Sequence, residues 1–190
     1  MYLRASIVIS IISLSAATAN ADTFNRIASF PTFLNNAEPT SESSAEIISS
    51  TADGMTLVYS DSPQGVIGLV DITDPANPTA KGNIAVGGEP TAVSIIGNTA
   101  FVSVNTSESY TAPSGKIKAF DLKSMSETSS CDLGGQPDST SSAPDGSFIA
   151  IAIENERDEQ WDNHYQKYDG VGTPNLQAHR SIAVGQADWQ

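Results

Sequence analysis

The chain has 190 residues, with 22 acidic side chains against 9 basic ones, a net charge of -13 and one cysteine. No basic run is present to neutralise backbone phosphates, which argues against a nucleic-acid partner. A single thiol excludes a disulfide framework and a zinc site built on several thiolates, so Cys131 is expected to be a small buried apolar residue.

The first element is a leader. Met1-Tyr2-Leu3-Arg4 gives a short basic start, and residues 5–17 are an uncharged, mostly apolar run. That run has the length of a signal-peptide core and is too short to span a bilayer. It closes on Ala19-Asn20-Ala21, which places cleavage between Ala21 and Asp22. The expected location is therefore secreted or periplasmic, with no membrane span after cleavage.

From there the chain repeats. Asp53-Gly54 leads into an apolar strand at residues 55–59, and a second strand follows at 66–72 before the Pro-rich link 74–78. Ile84-Ala85-Val86-Gly87-Gly88-Glu89-Pro90 then recurs as Cys131-Asp132-Leu133-Gly134-Gly135-Gln136-Pro137, a period of 47 residues. After each marker a turn (Gly97-Asn98, Asp145-Gly146) introduces a strand, at 99–104 and 147–153, and residues 116–122 repeat the pattern of 66–72 with an Asp before the last apolar residue. A unit of this length with about four short strands cannot bury both its faces alone, and stacking as a β-propeller blade solves that problem. A β-helix needs a shorter period, and a sandwich does not call for a repeated Gly-Gly marker.

The fold class is thus all-β, a partial β-propeller with about two complete four-stranded blades and the start of a third. The units run 45–88, 89–135 and 136–159 onward. Residues 160–190 read as an irregular tail in which the marker returns weakly at 182–188. The chain reads as an N-terminal part of a larger propeller, in preference to several chains assembling into one ring.

A family resemblance rests on Tyr59-Ser60-Asp61-Ser62, Val70-Asp71-Ile72-Thr73-Asp74-Pro75, Gly88-Glu89-Pro90-Thr91, Gly134-Gly135-Gln136-Pro137-Asp138 and Ile153-Glu154-Asn155-Glu156-Arg157-Asp158-Glu159. Over residues 24–159 the chain resembles the secreted bacterial propellers of the phytase-like, esterase-like group. It is also similar to surface propellers with LVIVD or choice-of-anchor repeats. The phytase-like resemblance implies ester or phosphoester hydrolysis at an acidic, calcium-loaded face, although fold likeness alone does not carry chemistry.

The residues themselves offer carboxylates and little else. No Gly-x-Ser-x-Gly elbow, His-Glu-x-x-His helix, phosphate loop or EF-hand loop occurs, and the two histidines, His164 and His179, lie in the tail. Glu46, Glu89 and Asp138 sit at the entrance of the innermost strand of each unit, and Asp61, Asn105 and Glu154 lie at or past the end of the next. Equivalent blade positions form rings around a propeller channel, so Glu46, Glu89, Asp138 and Glu154 are the candidate ligands for Ca²⁺. The same acids also serve as turn caps in many proteins. Four carboxylates within residues 154–159 repel one another unless a cation or arginine compensates, which makes Glu154 and Glu156 candidate bases and Arg157 a candidate anion clamp. A solvated acidic loop accounts for them equally. Asn105-Thr106-Ser107 is a formal glycosylation acceptor, and Trp161, Tyr165, Tyr168 and Trp189 form a candidate aromatic platform.

Two functions follow. One is a calcium-assisted phosphoesterase or esterase acting on a small-molecule ester. The other is a non-catalytic extracellular propeller binding a surface protein or a glycan, or else a truncated chain without activity.

Overall fold

A computed structural model describes residues 25–156 and 181–186. The expected leader at 1–21, Arg157, both histidines, Trp161, Tyr165, Tyr168 and Trp189 lie outside the described residues. Among the described residues, one 3-10 turn at Thr32–Asn35 is followed by eleven strands. They are β1 (Ile48–Ser50), β2 (Thr56–Asp61), β3 (Val66–Asp71), β4 (Thr79–Ala85), β5 (Glu89–Ile96), β6 (Thr99–Asn105), β7 (Gly115–Asp121), β8 (Ser126–Asp132), β9 (Pro137–Ser142), β10 (Phe148–Ile153) and β11 (Ser181–Gln186). They form three antiparallel sheets in the orders β1-β2-β3-β4, β5-β6-β7-β8 and β11-β10-β9. The all-β, partial-propeller expectation holds, with the sheets as blades 1, 2 and 3.

Local chemistry explains the hairpins. The Asp53 carboxylate accepts from Met55 N at 2.9 Å, Asp145 from Ser147 N at 3.0 Å, and Asp71 from Thr73 N at 2.9 Å. Asp121 accepts from Lys123 N and Ser124 N at 3.1 and 2.7 Å. The Asp that closes β3 and β7, just before Ile72 and Leu122, therefore forms an Asx turn that reverses the chain into the fourth strand.

Burial follows blade geometry. Residues 100–104 of β6 are all buried, because both faces of a middle strand are covered by neighbouring blades. Between blades 1 and 2, Val58, Ile67, Leu69, Ile84 and Val86 pack on Val93, Ala100, Val102, Val104, Phe120 and Leu122. Between blades 2 and 3, Phe101, Ile117 and Ala119 meet Ile149, Ile151 and Ile153. Each such buried aliphatic or aromatic side chain contributes about 1.5–3 kcal/mol, so these two seams hold the array together.

Two expectations need correction. Cys131 is exposed, because β8 is the outermost strand of its sheet and six of its seven residues are exposed. Within the tail, residues 181–186 are a strand and not irregular: β11 pairs with β10 from Phe148↔Gln186 to Ile153↔Ser181, the place that β3 and β7 hold in their blades. The part of the returning marker that falls within 182–186 is thus a third-strand sequence of similar composition.

Candidate functional site

The Gly-Gly-x-Pro marker enters the inner strands β5 and β9 at one end of the blades. A Cβ on Gly88 would lie 2.6 Å from a Val104 methyl and 2.7 Å from Asn105 O, and one on Gly135 would lie 2.7 Å from Ile153 and from Asn155 Oδ1. These glycines admit the end of the second strand against the inner strand. The marker also touches the preceding blade, since a Cβ on Gly65 would lie 3.2 Å from Gly88 O and one on Gly115 would lie 2.5 Å from Gly135 O. Pro90 and Pro137 are fully buried at these joints.

Every inner strand carries one extra residue near its entrance, just after the marker in β5 and β9. The pairing slips between Pro90 and Ala92 opposite β6, and between Pro137 and Ser139 opposite β10. In blade 1, Ser60 O accepts from Glu46 N while Ser60 N donates to Ile47 O, so two residues again oppose one. The bulged positions are therefore Glu46, Thr91 and Asp138. Continuing the registers groups Ser44 with Glu89 and Gln136, Ser62 with Asn105 and Glu154, and Asp61 with Val104 and Ile153.

The expected ring of Glu46, Glu89 and Asp138 is consequently split. Glu46 and Asp138 share the bulge position, whereas Glu89 stands two residues earlier, opposite Asn105. All three are exposed. Glu46 accepts from Ser62 Oγ at 2.6 Å and Ser44 Oγ at 3.1 Å, and Glu89 accepts from Asn105 Nδ2 at 2.9 Å. Asp61 is buried and bound by Ser43 Oγ at 2.6 Å, Ser44 N at 3.1 Å and Gln64 N at 3.3 Å.

Residues 154–156 do come together with the marker, through a residue that the sequence reading passed over. Gln136 N donates to Asn155 Oδ1 at 2.8 Å, Gln136 O accepts from Glu154 N at 3.0 Å, and Gln136 Oε1 accepts from Glu156 N at 3.1 Å. Asn155 adopts a φ of 53°, a conformation that asparagine tolerates well. The signal for Gln136 was its place in the Gly-Gly-x-Pro string, where the previous unit has Glu89. Half-buried Glu154 and exposed Glu156 follow from this latch, which fixes their backbone at the marker end of blade 3.

Among the described residues no three Asp, Glu, His or Cys side chains converge. The opposite end of the blades carries the turn acids Asp53, Asp71, Asp74, Asp121 and Asp145. Their carboxyls are held below the usual range, Asp71 and Asp121 first by backbone N–H donors, Asp53 and Asp145 first by the Thr51 and Ser147 hydroxyls, and Asp74 first by the Asn77 amide. Part of the chain's acidity therefore serves its turns. Among the described residues, no helix is long and apolar enough to cross a membrane.

The sequence profile of the choice-of-anchor I domain matches residues 46–177, more than half of the chain. None of the curated proteins compared with the chain matches it. Among solved structures, hydrazine synthase of Kuenenia stuttgartiensis is similar in fold at 21% identity and a TM-score of 0.53, covering 75% of this chain and 34% of that one. A functionally unknown protein from Desulfotomaculum acetoxidans aligns at 15% identity and a TM-score of 0.45, covering 58% of this chain and 36% of that one. The chain thus spans about a third of the length of each neighbour.

Proposed function

Because the chain belongs to the choice-of-anchor I domain family, we propose that it supplies blades to an extracellular or cell-surface propeller that binds a surface protein or a glycan and catalyses no reaction. The observation that carries this reading is the engagement of the marker-end acids with their own framework: Glu46 with Ser44 and Ser62, and Glu89 with Asn105. Carboxylates tied to neighbouring hydroxyls and amides stabilise turns and strand ends, which supports a structural use of these acids. The binding surface of this proposal is the marker end, because the connections between second and third strands of blades 1 and 2 lie there and lengthen from residues 62–65 to 106–114.

Calcium-assisted ester or phosphoester hydrolysis by Glu154, Glu156 and Arg157 is the competing reading, and its support is the phytase-like resemblance of the sequence. The two are separated by assaying p-nitrophenyl phosphate and p-nitrophenyl acetate with calcium and with chelator, beside a binding screen on immobilised glycans and envelope proteins. Binding without turnover is the expected result. Calcium-dependent turnover abolished by Glu154→Gln with Glu156→Gln would overturn the proposal.

A further inference from the structure

The faces of a blade are equivalent from one unit to the next, and blade 1 breaks the pattern on one of them. In blade 2, Ala100, Val102, Val104 and Phe120 point toward the preceding blade, and in blade 3 Ile149, Ile151 and Ile153 do so. By register the corresponding residues of blade 1 are Leu57, Tyr59, Asp61 and Val70. No sheet covers that face among the described residues. Tyr59, Asp61 and Val70 are nevertheless only 2%, 0% and 3% exposed.

What covers them is the N-terminal segment. Asn35 Nδ2 donates to Tyr59 Oη and to Leu69 O, both at 3.0 Å, while Asn35 Oδ1 accepts from Gly82 N at 3.0 Å. Asn83 Nδ2 donates to Asn36 Oδ1 at 3.2 Å. Further along, Ser43 Oγ and Ser44 N both bind the Asp61 carboxylate. The Tyr59 ring lies flat on its cross-strand partner Gly68, where a Cβ would come within 2.1 Å of the ring, and so makes room for the segment to pass.

We propose that residues 25–44 are a strap that fills the place of a neighbouring blade on blade 1, and that Asp61 is the positioning residue that selects the strap over an apolar sheet. The chemistry is one of exclusion. A carboxylate buried against another blade's aliphatic face would lose its Ser43 and Ser44 donors and keep only Gln64 N, and a buried charge so poorly partnered is far costlier than the packing it would gain. The strap supplies a backbone N–H and a hydroxyl where a blade would supply methyl groups. Blades 2 and 3, which do receive sheets, carry Val104 and Ile153 at the same position.

Hydrogen exchange on the full chain tests this directly. The amides of Ser44 and Gly82 should exchange at least tenfold more slowly than in an unstructured peptide. Asp61→Val should raise exchange at Ser44 and Gln64 tenfold or more while leaving β6 and β7 protected, and Asp61→Asn, which keeps an acceptor oxygen, should restore part of the protection. Should Asp61→Val not fold, Asn35→Ala changes only the strap and should expose the Gly82 amide. Unprotected Ser44 and Gly82 in the native chain would overturn the proposal, and so would strap protection that survives Asp61→Val or, in its place, Asn35→Ala.

Discussion

The two seams between blades use the same positions and fill them differently. In blade 1 the directly paired residues facing blade 2 are Val58 and Leu69; in blade 2 the corresponding pair facing blade 3 is Phe101 and Ala119. One member grows as its cross-strand partner shrinks, so the volume offered to the next blade stays nearly constant. The serine at the next inward-facing place also differs in use. Ser60 Oγ accepts from Ile47 N inside its own blade, whereas Ser103 Oγ crosses the seam to the Thr140 hydroxyl. Both serines are fully buried. Packing volume is thus held fixed between repeats while polar contacts are free to drift, as expected where density is enforced at every contact and a hydroxyl needs only some partner.

The largest test of that comparison is the volume swap. Leu69→Ala alone should cost about 2–5 kcal/mol and Val58→Phe alone about 1–3 kcal/mol, measured by denaturant unfolding. The double variant, which installs the second seam's pair in the first, should cost well under the sum. Additive losses would break the idea that the pair acts as one volume.

Next in size are the joints common to both seams. Gly88→Ala and Gly135→Ala should each cost about 1–3 kcal/mol, because the added methyl meets Val104 and the Asn105 carbonyl in one case and β-branched Ile153 and the latched Asn155 amide in the other. Gly134→Ala, at a φ of 69° with open space around it, should cost less, roughly 1 kcal/mol of backbone strain.

Thr140→Val should cost about 1–2 kcal/mol by leaving the buried Ser103 hydroxyl without its partner across the seam, and Ser103→Ala added to it should recover most of that loss. The matching change Ser60→Ala should act within blade 1 alone, which hydrogen exchange at Ile47 N would report.

The smallest effect concerns pH. The depressed carboxyls of Asp71 and Asp121 bind a proton less readily in the folded chain than in the unfolded one. Their contribution is present above the unfolded value near 3.9 and is lost as pH falls through the lower folded values. Asp121→Asn should therefore flatten the acid limb of a melting curve recorded against pH and leave the neutral region nearly unchanged. Because the group is exposed, a steep change near neutrality would contradict its assignment as a turn cap.

Much of the fold was legible because its signals are local. The turns at Asp53-Gly54, Gly97-Asn98 and Asp145-Gly146 and the apolar runs after them fall where hairpins form, and the marker recurs where blades join. What stayed hidden depends on pairing. A bulge at Glu46, Thr91 and Asp138 occurs in all three units, so no change of length betrays it, and its two-against-one register decides which acids are equivalent. The placement of β11 was hidden by the long connection of residues 154–180, which separates it from its partner β10. The exposure of Cys131 follows from the outermost position of β8, which composition does not report. The Ser43 and Ser44 partners of Asp61 come from a segment 18 and 17 residues upstream with no periodicity to announce it.

The one-blade-to-the-next character of the joints bears on how such a gene can grow. Gly65 meets the marker of blade 2 as Gly115 meets that of blade 3, so a repeat carries both halves of a seam, and tandem duplication of residues 89–135 would insert a blade whose two faces already fit. Duplication of blade 1 would not, because its copy would bring Asp61 into an interior seam with no strap to meet it. Selection on copy number should therefore act unevenly along the chain, with units like blade 2 as the reservoir for new blades and blade 1 retained as a single founder.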